Sequence, residues 1–310
     1  MRVLSWHVHG AWSTAFVHGD HDHVVPVVPG RGPDGRGRAR TYDWPERVRE
    51  ASPRELADTP LDVVVLQRPR DEELLLEWTG LRAGRDVPAV YVEHNAPQGR
   101  IAEMRHPMAG RDDLTLVHVT HFNALFWDAG TTRTRVIEHG VPDPGPRFTG
   151  ELPRAAVVVN EAARRGRVVG TDLLGALNGD VGIDLFGIDS ERLGGHGDVP
   201  HDRLLTEMGR RRMYLHPVRW TSLGLSLVEA MHLGMPVVAL ATTEAVEAVP
   251  AGAGVVSNRV DRLRAGMARF RDDPDAAAEA GRAAREHAVS RFGLERFLRD
   301  WDELLEEVAA

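Results

Sequence analysis

The chain has 310 residues, with 46 Asp and Glu against 38 basic side chains, and its net charge of −8 excludes the basic face that a general nucleic-acid binder needs. It holds no Cys and every basic residue is Arg, which excludes disulfides, thiolate chemistry, Cys-ligated zinc, Schiff bases and a phosphate-loop Lys. No run of about eighteen apolar residues exists, so a transmembrane helix is excluded; a cytoplasmic protein is expected, with peripheral contact at an inner membrane face left open.

Val3-Leu4-Ser5-Trp6 reads as a first strand, and the opening residues as strand rather than signal peptide. His7 to Trp12 reads as the loop after it. In an open parallel sheet ligands bind outside the carboxyl ends of strands, so His9, Gly10 and Trp12 are candidate cleft residues. His18 to His23 packs three His and two Asp into six residues, but a solvated polar loop explains it better than a metal site, and no metal is expected. Val24 to Val28 is a second strand, followed by a Gly- and Arg-rich stretch from Pro29 to Arg40 read as a flexible surface loop. Trp44 to Leu56 is expected to be helical, Leu61 to Leu66 a buried strand, and Asp71 to Leu81 a helix.

Ala89 to Val92 is the next strand, and Glu93-His94-Asn95-Ala96-Pro97 emerges from its carboxyl end, with Pro97 blocking continuation. Leu116 to Val119 repeats the pattern, leading into Thr120 to Asn123. Pro142 to Pro146 holds three Pro in five residues and reads as a linker. Strand–helix alternation then restarts: strand Ala155 to Val159, the polar segment Asn160 to Arg167, a helix from Gly170 to Leu177, strand Ile183 to Phe186 with Gly187 after it, a helix from Val199 to Met208, and strand Met213 to His216. Asp273 to Ser290 reads as a surface helix, and Phe292 to Val308 closes the chain with aromatic spacing.

The most informative stretch is Arg219 to Leu240. Thr221 and Ser222 can cap a helix, Leu227, Val228 and Met231 recur at helical spacing, and Gly234 with Pro236 stops it before the apolar strand Val237 to Leu240. A loop entering a helix N-terminus beside Gly224 suits a phosphate group. Gly224-Leu225-Ser226-Leu227-Val228-Glu229-Ala230-Met231, followed by Gly234-Met235-Pro236-Val237-Val238, resembles the nucleotide-sugar motif of retaining GT-B glycosyltransferases. Arg135 to Val141 is similar to that family's segment before its interdomain linker.

The resemblance implies an α/β fold of two Rossmann-like domains facing a central cleft (GT-B): 1–145 on the acceptor side, 146–290 binding the nucleotide sugar, and 291–310 as a C-terminal helix able to cross back to the first. It implies transfer of a sugar from a nucleotide-sugar donor to an acceptor hydroxyl, with retention and without a metal or other cofactor. The acceptor class (glycan, lipid-linked or small molecule) stays open. His94 and Arg165 take catalytic roles by resemblance. Glu229 would hold the ribose, the backbone at Gly224 and Leu225 the diphosphate and sugar, with Thr221, Ser222, Asn160, Gly187 and Glu247 completing the donor side. The family's opening Glu falls at Thr221 and its usual clamp Arg near Asn160, so donor identity is open. The alternatives are a nucleotide-sugar epimerase of the same fold, and a catalytically weak sugar-nucleotide-binding or partner subunit.

Overall fold

The computed structural model describes all 310 residues, Met1 to Ala310. They form two compact units, Met1–Val141 with Leu294–Ala310, and Pro142–Gly293. The first unit carries strands β1 Arg2–Ser5, β2 Asp22–Pro26, β3 Arg49–Ala51, β4 Val63–Leu66, β5 Ala89–Glu93, β6 Thr115–His118 and β7 Arg133–Val136. They pair in the order β3-β2-β1-β4-β5-β6-β7, every pair parallel. The second unit carries β8 Leu152–Val158, β9 Ile183–Phe186, β10 Arg211–His216, β11 Val237–Ala239 and β12 Gly254–Val256, in the parallel order β12-β11-β10-β8-β9.

Parallel strands with helices on both faces must be apolar on both. Alternate residues accordingly feed opposite cores: Leu4, Val64, Leu66, Tyr91 and Leu116 face one layer of the first unit. Val3, Val63, Val65, Val90, Val92 and Val117 face the other. The helix Leu294–Ala309 fills this second face with Phe297, Trp301, Leu304 and Leu305, all fully buried. Trp301 stands edge-on to Trp12 at 5.6 Å and to Phe16 at 5.1 Å between ring centroids. No helix is long and apolar enough to cross a membrane.

Three stretches differ from the sequence-based expectation. Trp44 to Leu56 is not one helix: Arg49–Ala51 pairs with β2, and Pro53–Ala57 starts a separate short helix. Pro53 removes a helical donor, and Ser52 with Glu55 forms a capping box, with the Ser52 amide donating to Glu55 Oε2 at 2.8 Å. Gly10 and Trp12 lie in the helix Gly10–Phe16 rather than a loop. The Arg-rich stretch is tied down: Arg31 grips Glu50 with two bonds of 2.7 and 2.9 Å. Arg38 donates to the carbonyls of Trp44, Pro45 and Val48.

Replacing Trp301 with Ala should destabilise the first unit by about 3–5 kcal/mol, because it removes a buried indole and leaves a cavity. Six of the seven Trp (6, 12, 44, 78, 127 and 301) lie in that unit, so its denaturant unfolding can be followed by Trp fluorescence. An unchanged midpoint would show that the last helix does not hold the unit together.

Candidate functional site

In the first unit, the carboxyl ends of β1, β5 and β7 deliver three histidines. His9 caps the helix Gly10–Phe16, His94 follows β5, and His139 follows β7. The rings of His9 and His94 lie 4.0 Å apart, tilted by 35°, and Trp12 meets His94 edge-on at 5.1 Å. Burial holds all three imidazoles neutral at physiological pH: His9 is pushed down to about 4, His139 to about 3, and His94 well below its usual value. His94 is 9% exposed, and its Nε2 is buried with no hydrogen-bond partner. A neutral ring with an orphaned nitrogen can take or give a hydrogen bond to an incoming hydroxyl.

Trp12 is only 2% exposed, against Phe16 and Trp301. It is a wall behind His94, not a surface for a ligand. Gly10 lies under the ring of Tyr42, which a Cβ there would approach to 3.2 Å. Glu93 turns away from the histidines: Oε1 accepts from the Asn95 amide at 2.6 Å, and Oε2 is 2.9 Å from His106 Nε2.

The second unit gathers its polar groups at the carboxyl edge of its own sheet. The helix Leu225–Leu233 starts there with Gly224 as N-cap. The N-cap position falls on Gly224, which has no side chain, rather than on Thr221 or Ser222, and Leu227 N donates to Gly224 O at 3.0 Å. By position, the amides of Leu225 and Ser226 therefore lack carbonyl partners inside the helix, and the helix dipole adds partial positive charge there. Ser226 pins this turn, its Oγ lying 2.8 Å from Tyr214 Oη and donating to Val158 O at 3.3 Å. Gly224 is dictated by closeness: a Cβ would sit 2.8 Å from His216 Cε1.

Arg165 sits on the helix Ala162–Val169, half-buried. Its neighbour Arg164 pairs with Glu161, Nε to Oε1 at 2.8 Å, but the Arg165 guanidinium has no side-chain partner. Burial lowers its pKa from the usual Arg range, the mark of a cation held without a counter-ion. Asn160 does structural work: its Oδ1 accepts from the Ile188 amide at 3.0 Å and closes the Gly187 loop. Gly187 has φ 115°, and a Cβ there would fall 2.3 Å from Val159 O.

Glu229 is 8% exposed, and its Oε1 lies 2.8 Å from His201 Nε2. This partner has no signal in the sequence, because 28 residues separate the two and only packing of their helices joins them. The bond raises the His201 pKa above 6.5. Glu247 is exposed on the short helix Ala245–Ala248; the buried carboxylate beside it is Glu244, with Arg291 Nη2 at 3.5 Å from Oε1. In the His18–His23 stretch, His21 pairs with Asp302 at 3.1 Å, and no group of three or more His, Asp or Glu is arranged to hold a metal ion.

The His201–Glu229 pair makes a checkable pH statement. A raised folded-state pKa means the pair's stabilisation is complete below about pH 6.5 and is lost as pH rises through the folded value. In an NMR titration His201 should change charge above pH 6.5, and in Glu229→Gln it should do so at lower pH. Coincident titrations would remove the pair from the site.

Residues 190–287 match the family model described as glycosyl transferases group 1. No curated protein matches the sequence. Among solved structures, sucrose-phosphate synthase from Thermosynechococcus elongatus superposes with a TM-score of 0.72 at 13% identity, over 99% of both chains. A glycosyltransferase from Rickettsia africae ESF-5 gives 0.70 at 14% identity, covering 99% of this chain and 98% of that one. Anabaena HepE in complex with UDP gives 0.68 at 14% identity, covering 99% of this chain and all (100%) of that one. At these identities the structures establish a shared fold, two parallel α/β sheets of the GT-B kind.

Proposed function

We propose that this chain, which has the GT-B fold, is a group 1 glycosyl transferase that moves a sugar from a nucleotide-sugar donor to an acceptor hydroxyl with retention at the anomeric carbon. The observation that carries the reading is the set of groups at one edge of the second sheet: an unpaired half-buried Arg165, free helix amides at Leu225 and Ser226, and the Glu229 carboxylate. Those are a cation, an oxyanion cradle and an acceptor for hydroxyls. A nucleoside diphosphate with its ribose needs all three. Structures of HepE hold UDP, and UDP with glucose, which favours the same ligand class here.

The demanding step is departure of the diphosphate, because negative charge grows on the β-phosphate oxygen as its bond to the anomeric carbon breaks. Arg165 and the amides at Leu225 and Ser226 would meet that charge as it forms, so the step is expected to run without a metal ion. Glu229 orients the ribose. Gly187, held open by Asn160, gives the nucleotide close approach to backbone, and Thr221 and Ser222 stand at the sugar end. In the first unit His94, in ring contact with His9 beside Gly10 and backed by Trp12, receives the acceptor hydroxyl. A cytoplasmic enzyme acting on a soluble or membrane-surface acceptor fits this assignment.

A thermal-shift screen of nucleoside diphosphates and nucleotide sugars, with and without EDTA, tests it. A binder at a hundredfold excess over its dissociation constant should stabilise the protein by about 2.7 kcal/mol, unchanged by EDTA. With a donor in hand, Arg165→Ala should lower kcat about 10²–10³-fold, as removal of an oxyanion-stabilising donor does elsewhere. A folded protein that answers to no nucleotide would sink the reading.

A further inference from the structure

Glu229 is held unevenly. One oxygen, Oε1, is fixed at 2.8 Å by the His201 imidazole, whereas Oε2 has no partner in the protein. The two helices that supply the pair, His201–Arg210 and Leu225–Leu233, pack against each other, so both ends of the bond stand on rigid backbone. The Glu229 side chain is 10% exposed and that of His201 31%, so the pair is largely buried but still reached from outside. The charged groups facing His201 are Glu229, Asp202 and Arg147, and the last two are joined to each other at 2.6 Å. Glu229 is the carboxylate to which the His201 ring is hydrogen-bonded.

We propose that His201 is a positioning residue for the donor ribose: by holding Oε1 of Glu229 it aims Oε2 at the ribose hydroxyls. The inference rests on the donor-site reading of Glu229 given above. A glutamate left loose must give up side-chain freedom when a ligand arrives, and a glutamate already fixed by a neighbour binds without that loss. Both the imidazolium and the neutral Nε2–H tautomer donate to Oε1, so the hold persists through the neutral pH range. The residue touches Glu229 and not the reacting atoms. It acts on affinity for one part of the nucleotide, the hydroxylated sugar ring.

That locality sets the experiment. Binding of UDP and of 2′,3′-dideoxy-UDP is measured by calorimetry on the full chain, with ADP and GDP and their dideoxy forms as further probes. His201→Ala should weaken the ribonucleotide about tenfold, the scale of a hydrogen bond to a charged group. It should leave the dideoxy form within about twofold, and His201→Gln, which keeps a donor in reach of Oε1, should recover most of the loss. Glu229→Gln combined with His201→Ala should be no worse than Glu229→Gln alone. Should His201→Ala not fold, His201→Asn, too short to reach Oε1, replaces it. Equal losses for the ribo and dideoxy ligands, or no loss for either, would overturn the positioning role while leaving the donor reading intact. Failure of the unmodified protein to bind any of these nucleotides would overturn the donor reading, and this inference with it.

Discussion

Everything functional in this molecule follows from the decision to make both sheets wholly parallel. A parallel strand can be reached again only by a crossover, and the crossovers here bury both faces of each sheet. No polar side chain can then work from a sheet face without being drowned in valines. What remains is the edge where strands end and helices begin, where backbone amides are unspoken for and chain direction reverses. His9, His94 and His139 lie at such an edge in one unit, and Gly187, Gly224 and Arg165 at its counterpart in the other.

The two edges are built from opposite chemistry. The first is a nest of imidazoles kept neutral by burial, suited to exchanging hydrogen bonds with an uncharged hydroxyl. The second offers positive potential from a guanidinium and a helix terminus, suited to phosphate. Because the chain has no Lys, the strongly basic groups at the second edge are all Arg and keep their charge near neutral pH. Titration is left to the histidines.

Most strands were legible in the sequence because burial on two faces demands unbroken apolar runs, as in Val63 to Leu66 and Ala89 to Val92. The edge strand Arg49–Ala51 was not, since a strand with one neighbour carries charge and its three residues imitate part of a helical pattern. Of the candidate site, the helix start at Gly224 and the placement of Glu229 on that helix could be read because the pattern is local. The burial of Trp12 against Trp301, almost three hundred positions on, had no signal nearby in sequence. The His201 contact with Glu229 and the diversion of Asn160 to the Ile188 amide depend on packing between separate helices and loops, which no spacing rule encodes.

The last helix has a bearing on how the protein is made. It supplies Phe297, Trp301, Leu304 and Leu305 to a core whose other residues were synthesised before Val141. The intervening stretch Pro142–Gly293 is 152 residues by those boundaries, roughly 8–30 s of ribosome time. During that interval the first unit waits with Trp12 and Phe16 uncovered, a greasy face in search of a lid. The second unit has its whole core within one continuous segment and can settle as it emerges. The second unit can therefore complete its core from one continuous segment, whereas the first completes its own only when Leu294–Ala310 has been made.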